Sequence, residues 1–368
     1  MSKAAELAAL IGSGQAQGDR NFVINGAMQV AQRGTSFADP TDNTYSLDRM
    51  HIFNTNDGAF TVTQDTTVPS GEGFYKSIKF DCTTADGTIA AGQYATLSQR
   101  IEGLNNTVLG YGASGAKSIV VSFYAKSNLT GTFCYSVRNS AVDRAYIKEF
   151  SLTSANTWER ISFTIPGDTS GTWLVDNGIG SNHQISLSMG STFHGTANQW
   201  NSSNVVATSN QVNFLSSTDN NFFLTGWQVE IGDVATPFEH RSFANEMYRC
   251  RRYFYKSFNY ATAPENGGST GVSGNGGLLG YCGSNNSGIY SGVLRFDPEM
   301  RTTPTVVTYG NSSGHWGHLA PTNSGSVSFS SSSGYMGNVK ASGVNFGQNV
   351  SGNTLLIGFG HLTAEAEL

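Results

Sequence analysis

An all-β fold is what this sequence predicts, on three observations. Short runs in which apolar residues alternate with others recur at about ten places, with turn residues between them. Patterns with helical spacing are scarce. Charged residues make up only 13% of the 368 residues, whereas glycine occurs 44 times, a composition typical of turn-rich and uncharged surfaces. Strands at regular spacing, with no blade repeat, favour a β-sandwich.

The main domain is predicted to span residues 21–240. Its clearest strand is 119–126, in which every second residue from Ile119 to Ala125 is apolar and Tyr124 lies on the opposite face. The predicted strands of this domain are 21–32, 48–53, 60–64, 75–81, 94–101, 119–126, 132–138, 146–152, 158–165, 185–189 and 222–231. Turn residues separate these runs, as a sandwich requires.

The stretch 221–256 closes the main domain and leads into another. Its strand, 222–231, ends at Gly232. A helix is predicted after Ser242, a favourable N-cap residue, and its last turn carries arginines where the helix dipole favours cations. We therefore predict a connecting helix within residues 241–257.

Both ends of the chain differ from the main domain. Residues 1–20 are predicted to form a short attachment helix and linker, because apolar residues at positions 7, 10 and 11 have helical spacing. A helix this short needs a partner surface to be stable in water; a frayed terminus is the alternative. Residues 258–368 are rich in Gly and Ser and predict a smaller β tip domain, whose thin core favours packing against further copies. Its strand-like runs are 293–296, 304–308, 327–329 and 355–359.

Several stretches resemble phage tail-fibre proteins. LTGWQVEIGDVATPFEHRSFANEMYRCRRYFYK, at 224–256, resembles the closing strand and exit helix of their jelly-roll modules. NFVINGAMQVAQRGTS, at 21–36, resembles the opening strand of these modules, and YSLDR, at 45–49, resembles the Y-x-x-D-R turn that follows it. FDPEMRTTPTV, at 296–306, and HLTAEAEL, at 361–368, resemble phage-fibre tips.

This resemblance implies a fold, a location and partners. The family modules are similar to carbohydrate-binding modules, which implies a jelly-roll β-sandwich and host-surface polysaccharide or lipopolysaccharide as a ligand. Fibres of this family have threefold symmetry, which implies a homotrimer that gains avidity from several weak sites. The resemblance also implies a virion protein, made in the host cytoplasm and attached to other virion proteins through the N-terminal helix.

Composition and motifs disfavour several functions. The net charge of −5 gives no electrostatic basis for nucleic-acid binding, and no apolar run is long enough for membrane insertion. The four cysteines lack C-x-x-C spacing, which predicts free thiols rather than a zinc site. We predict no cofactor and no metal; a structural calcium site using Asp48, Glu230 and Asp233 is the weaker alternative.

Catalysis is not predicted either. The motifs of nucleophilic hydrolases, zinc proteases and nucleotide-binding loops are absent. The acidic residues are scattered through turns, whereas a glycosidase needs two carboxylates held together.

Sugar recognition is the function that these exclusions leave, and the sequence offers four candidate residues for it. Sugars present apolar C–H faces and many hydroxyls, which proteins meet with aromatic rings and with charged or amide groups. Tyr124, Arg138 and Tyr146 are predicted to point outward from central strands, and Trp200 lies in the Asn-rich loop 190–213. Plain surface or inter-subunit packing is the alternative for the tyrosines.

The remaining tryptophans of this domain, Trp158, Trp173 and Trp227, are predicted core residues of the sandwich. The sequence therefore predicts a non-catalytic, homotrimeric phage fibre adhesin that recognises host-surface glycans. A structural capsid or tail decoration protein that binds no glycan is the first alternative, and a polysaccharide depolymerase is the second.

Overall fold

The computed structural model describes residues 19–265, 278–282, 289–309, 317–321, 327–331, 335–349 and 356–368. The chain divides into two compact units. The first takes the described residues up to Ala31, Thr35–Glu246 and Leu368, and the second takes Gln32–Gly34 and Met247–Glu367. Both consist mainly of antiparallel strands, so the predicted all-β class is confirmed. The predicted N-terminal helix lies outside the described residues.

The first unit holds thirteen of the strands that the structure describes. They are β1 (Ser36–Ala38), β2 (Thr44–Tyr45), β3 (His51–Asn54), β4 (Ala59–Asp65), β5 (Ser77–Thr84), β6 (Tyr94–Glu102), β7 (Ile119–Ser127), β8 (Gly131–Arg138), β9 (Ala145–Leu152), β10 (Glu159–Ile165), β11 (Ile179–Met189), β12 (Trp200–Asn201) and β13 (Asn221–Ile231). A short helix, α1 (Gly103–Asn106), follows β6, and 3₁₀ turns lie at Thr107–Leu109, Ser191–Phe193 and Phe214–Ser216.

These strands form the two antiparallel sheets of a jelly-roll sandwich. Sheet A has the order β1-β4-β5-β13-β7-β10, and sheet B has the order β12-β9-β8-β11-β6-β3-β2. One apolar core lies between the sheets. Phe123 of β7 and Tyr135 of β8 are stacked with their ring centroids 6.2 Å apart, and Phe222 of β13 packs against Phe133 of β8 at 5.4 Å. Aromatic contacts of this kind join the two layers.

The closing strand β13 contains a bulge that decides which of its side chains reach the core. The pairing with β7 shifts between Thr225 and Gln228, and Gly226 adopts a left-handed φ of +66°. Strict alternation would place Leu224 and Trp227 on opposite faces. Because of the bulge, both are fully buried in the core, as predicted for Trp227.

The opening segment is not the predicted strand 21–32. It contains a turn and no strand, because its residues bond through side chains as well as through the backbone. The Asn21 side chain accepts from the Val229 amide at 3.0 Å and donates to the Trp227 carbonyl at 3.1 Å. Gly26 has no room for a side chain, since a Cβ there would lie 2.1 Å from the Trp227 oxygen. This segment therefore docks on β13 beside its bulge.

The helix α2 (Phe243–Arg251) begins where the sequence predicted it. Ser242 caps it, with its hydroxyl accepting from the Asn245 amide at 3.3 Å. Its first turn carries Glu246 and its last carries Arg249 and Arg251, which suits the helix dipole.

The second unit contains the remaining described strands. They are β14 (Phe254–Lys256), β15 (Leu278–Cys282), β16 (Ile289–Arg295), β17 (Thr305–Tyr309), β18 (Gly317–Pro321), β19 (Val327–Ser331), β20 (Tyr335–Lys340), β21 (Gly343–Asn349) and β22 (Leu356–Glu365). The long strand β22 pairs with β14, β15, β17 and β18, while β16, β21 and β20 form a separate sheet. The described core of this unit is small and centres on Phe296, Met300 and Leu362.

The cysteines that can be described, Cys82, Cys134 and Cys250, are free, as predicted, and all three are buried. The side chain of Cys282 lies outside the description. Among the described helices, none has the length and apolar character that a membrane span requires.

Candidate functional site

Sheet B carries polar side chains on its outer face, away from the core. Residues directly opposite each other on antiparallel strands share a face. Val137 of β8 is part of the core, so its neighbours Ser136 and Arg138 point outward, as do their partners across the sheet. We call seven of these side chains the polar face: Thr96, Ser98 and Arg100 on β6, Ser136 and Arg138 on β8, and Asn182 and Gln184 on β11.

The strand register places most of these side chains in two rows. In the first row, Asn182 lies between Arg138 and Arg100. The second row consists of Ser136, Gln184 and Ser98. The three strands are distant in sequence, so the sheet assembles one surface from separate short polar runs.

The polar face has a floor of buried groups for which the described residues provide no hydrogen-bond partner. Thr96 and Gln184 are each 2% exposed and Ser136 is 0% exposed. In the part of the chain that the structure describes, no hydrogen bond reaches Oγ1 of Thr96, Oγ of Ser136 or Oε1 of Gln184. Leaving a buried polar atom unpaired costs about 1–3 kcal/mol, and most such atoms in folded proteins are paired. Three on one patch form a surface suited to a ligand rich in hydroxyl groups.

Arg138 lies next to this floor, in the neighbouring row of the register. It is half-buried, and its Nη1 donates to the side-chain oxygen of Asn204. Burial, and then the nearby charge of Arg100, lowers the pKa of Arg138 to about 10, while Tyr94 acts in the opposite direction. The side chain remains charged at neutral pH, and its Nε is buried without a partner among the described residues.

Arg100 is the second cation of the polar face. It donates to the oxygen of Leu368 and, at 3.4 Å, to the Asn43 side chain. Its guanidinium also lies 5.1 Å from the ring centroid of Phe53 on β3. The structure describes no salt bridge from Arg100 or Arg138 to an Asp or Glu side chain.

Aromatic rings border the polar face. Phe53 and Tyr94 are half-buried neighbours, with ring centroids 6.1 Å apart. Tyr94 also packs edge-on against Phe193 at 5.0 Å and donates to Asp42 at 3.5 Å. Burial, followed by Asp42, raises the pKa of Tyr94, so the phenol is neutral and can both donate and accept. The rings offer apolar surface next to the polar floor.

The long loop after β11 packs on the outer face of sheet B at β8 and β9. Val205, Val206 and Ala207 pack there against Cys134 and Ile147. Ser186 donates to the Val206 carbonyl at 3.1 Å. The loop thus encloses the side of the polar face where Asn204 meets Arg138.

The structure separates the four predicted binding residues. Arg138 is on the polar face, as described above. Tyr124 points outward as predicted but from sheet A, where its hydroxyl donates to Glu72 at 2.7 Å. Burial and the Glu72 carboxylate raise the pKa of Tyr124 to about 12. Arg138 and Tyr124 therefore lie on opposite sides of the sandwich.

Tyr146 is not outward, and that prediction is wrong. It lies opposite Val137 in the register and is only 5% exposed within the main core. Trp200, which pairs with Tyr146, packs against its ring at 5.3 Å and against Trp173 at 5.6 Å. Trp200 is half-buried and donates to the Pro166 carbonyl at 3.1 Å. These rings close one edge of the sandwich.

Trp158, Trp173 and Trp227 were predicted to lie in the core, and this prediction is wrong for Trp158. Trp173 is buried as predicted. Trp158 is half-buried beside β10, with its ring 6.1 Å from Phe223 on the outward side of sheet A. The ammonium of Lys126 lies 4.1 Å from the Phe223 centroid and 5.6 Å from that of Trp158. The cation thus covers the apolar rings on this face.

Tyr146→Ala is expected to destabilise the protein by about 3 kcal/mol, because truncating a buried aromatic ring leaves a cavity. Urea unfolding followed by tryptophan fluorescence measures this change. Tyr75→Ala is the matched control: Tyr75 is 50% exposed, so its substitution should change stability by no more than about 0.5 kcal/mol. Equal effects of the two substitutions would contradict the buried position of Tyr146.

The residues considered for calcium do not converge on a cation site. The Glu230 carboxylate accepts from the Thr236 amide and hydroxyl at 2.8 and 2.7 Å and lies 3.4 Å from Nε of Arg20. Asp233 is exposed, whereas Asp48 is buried. Within the described ranges, no group of three or more His, Cys, Asp or Glu residues is arranged to hold a metal.

Comparisons with known proteins add similarities of fold only. No protein-family model and no curated protein matches this chain. The enzymatically active domain of tailspike protein 4 from bacteriophage CBA120 is 14% identical with a TM-score of 0.30, and the match covers 58% of this chain and 22% of that one. This chain therefore spans about a fifth of the tailspike's length.

Two carbohydrate-binding modules show a similar level of resemblance. TmCBM61, solved with β-1,4-galactotriose, is 10% identical with a TM-score of 0.30 and matches over 58% of this chain and 100% of its own. The CBM22-1 xylan-binding domain of Xyn10C from Paenibacillus barcinonensis is 10% identical with a TM-score of 0.26, over 60% and 99%. The fold assignment rests on the two sheets themselves.

Proposed function

We propose that this protein binds glycans non-catalytically on the polar face of sheet B. The observation that carries the proposal is the floor formed by Thr96, Ser136 and Gln184, whose buried oxygens lack partners among the described residues. A ligand hydroxyl can donate to each of these oxygens and can accept from the hydroxyls of Thr96 and Ser136, whereas an apolar ligand would leave them unpaired. A sugar meets both requirements, because its C–H faces also pack against aromatic rings.

The chemical composition of the polar face supports binding without hydrolysis. Its seven side chains are hydroxyls, amides and guanidinium groups. Glycosidases act through a pair of carboxylates on either side of the scissile bond. None of the seven is a carboxylate, so this surface supplies hydrogen bonds and positive charge rather than an acid and base pair.

The wider role we propose is that of a homotrimeric phage virion adhesin that binds host-surface glycans. The resemblance of residues 20–256 to tail-fibre modules supports this role, and threefold repetition would multiply the affinity of a single weak site. A decoration protein without glycan binding is the competing role. Binding to intact host cells favours the adhesin, and its loss in competition with the isolated surface polysaccharide would identify the glycan as the receptor.

The test is a loss of binding without a loss of stability. An array of bacterial surface polysaccharides should capture the full-length protein, and Gln184→Leu should weaken capture by at least about tenfold, as expected for lost polar contacts. Since Oε1 of Gln184 is buried without a partner among described residues, the same substitution should leave the melting temperature unchanged or higher.

Controls locate the site and test for catalysis. Tyr124→Ala, on the outer face of sheet A, should leave capture unchanged. Loss of capture with Tyr124→Ala and normal capture with Gln184→Leu would move the site to sheet A. Reducing ends released over time would disprove the non-catalytic claim, and failure of the wild-type protein to bind any polysaccharide would disprove glycan binding.

A further inference from the structure

The two arginines of the polar face, Arg100 and Arg138, indicate which kind of sugar binds there. Arg138 lies in one row with Asn182 and Arg100, close enough to Arg100 and Tyr94 for both to influence its charge state. The only protein hydrogen bond described for its guanidinium is to the neutral amide of Asn204. Burying a cation without a carboxylate costs free energy, and natural proteins usually pair such a charge.

The second arginine adds to this positive potential rather than offsetting it. Arg100 lies in the same row as Arg138, with Asn182 between them, and no acidic side chain is among the seven residues of the polar face. The net charge of the chain is −5. The positive charge of this arginine pair is therefore local to the polar face, because the protein as a whole is negatively charged.

Guanidinium geometry indicates what the row would bind. Arginine presents N–H groups in a planar fork that matches the paired oxygens of a carboxylate or phosphate. Nε of both arginines is buried without a partner among the residues described, which leaves an N–H available on each. Asn182 is already bonded to Ser98, whose hydroxyl donates to its side-chain oxygen at 2.6 Å, so the centre of the row is fixed.

We infer that the polar face selects glycans that carry an oxyanion, a carboxylate or a phosphate, held between Arg100 and Arg138. This inference rests on the proposed function and adds the class of ligand. Neutral sugars would satisfy the hydroxyls of the floor but would leave the Arg138 guanidinium, whose described protein partner is the neutral amide of Asn204, without a counter-charge. The floor provides affinity for sugar, and the arginines discriminate between acidic and neutral polymers.

The experiment compares chemically matched polymers. Bacterial surface polysaccharides are arrayed, each acidic one beside its carboxyl-reduced or dephosphorylated form, and full-length protein is applied at low and high salt. The acidic form should bind at least about tenfold more tightly, as expected for charge-assisted hydrogen bonds. High salt should reduce the difference. Carboxyl reduction and dephosphorylation separately identify which oxyanion is bound.

Variants assign the selectivity to its residue. Arg138→Gln should weaken binding of the acidic polymer by about tenfold more than it weakens binding of the neutral form, so the ratio of the two affinities should fall by about tenfold. Arg138→Lys, which retains the charge without the fork, should give an intermediate affinity. Arg160→Gln changes the net charge equally but lies at the edge of sheet A and is exposed, so it should bind as the wild type does. Melting temperatures confirm that each variant is folded.

The possible failures are distinguishable. Equal wild-type affinity for acidic and neutral forms would overturn this inference and leave the glycan-binding proposal intact. A preference for acidic polymers that survives Arg138→Gln would overturn the assignment of the anion to this row. Absence of binding to every polymer would refute the proposed function and the inference with it.

Discussion

A chain that ends at residue 220 is expected not to fold. β13 lies between β5 and β7 in sheet A, so its removal takes out the middle of the sheet rather than an edge. Four of its side chains, Phe222, Leu224, Trp227 and Val229, are at most 1% exposed in the core. Each contributes about 1.5–3 kcal/mol by burial, and together they match the whole stability of a typical domain.

Truncation also exposes two strand edges at once. β5 and β7 would both lose their partner, and unpaired edges pair with other chains. We therefore expect residues 20–220 to aggregate, whereas residues 20–256, which contain all thirteen strands of the first unit, should be soluble and melt cooperatively. Size-exclusion chromatography and thermal melting by circular dichroism compare the two chains. Cooperative, soluble folding of residues 20–220 would contradict the central position of β13.

Acid is expected to destabilise the first unit through one histidine. His183 is 1% exposed, with Nδ1 2.8 Å from the Tyr135 hydroxyl and Nε2 3.0 Å from the Ser181 hydroxyl. Burial lowers the pKa of His183 to about 3. An unfolded histidine has a pKa near 6.5, so between these values the unfolded chain binds a proton that the folded chain does not.

The direction of the effect follows from this difference. The contribution of neutral His183 is fully present above about pH 6.5 and is lost as the pH falls toward about 3. The slope is about 1.4 kcal/mol per pH unit, which gives a loss of about 3 kcal/mol by pH 4.5. Urea unfolding from pH 7 to 4.5, followed by tryptophan fluorescence, measures it, because four of the five tryptophans belong to the first unit.

A variant isolates this histidine from the other titrating groups. His183→Gln should be less stable at pH 7, since it disturbs a buried network, but its stability should fall less steeply with acid. His240→Gln is the control, because His240 is exposed, and its pH profile should follow that of the wild type. Parallel profiles for His183→Gln and wild type would show that His183 does not remain neutral in the folded protein.

Strands could be predicted from sequence wherever one face is buried. The run from Ile119 to Ala125 alternates cleanly, and β7 lies where predicted because period-two burial leaves a direct pattern. The opening segment misled the prediction, since Phe22 and Ile24 alternate without forming a ladder. There, Asn25 adopts a left-handed φ of +63° and its side chain holds the Val30 amide at 2.9 Å, a local preference that apolar patterning does not reveal.

The polar face could not be predicted from sequence. In isolation, Ser98, Ser136 and Gln184 resemble ordinary outward positions on a strand, and only the register brings them together. The prediction that Tyr146 points outward failed for a related reason. Both faces of β9 carry apolar residues, because the long loop buries Ile147 on the outer side, so alternation alone could not decide which face meets the core.

The contact between Asn21 and β13 has a consequence for how this protein is made. The side chain of Asn21 bonds to Trp227 and Val229, which follow it by 206 and 208 residues. At roughly 5–20 residues per second, a ribosome makes β13 about 10–40 s after Asn21. Until then β5 and β7 lack the strand that lies between them. This unit therefore completes its fold only at the end of its own translation, and its early strands must be kept from other nascent chains in the meantime.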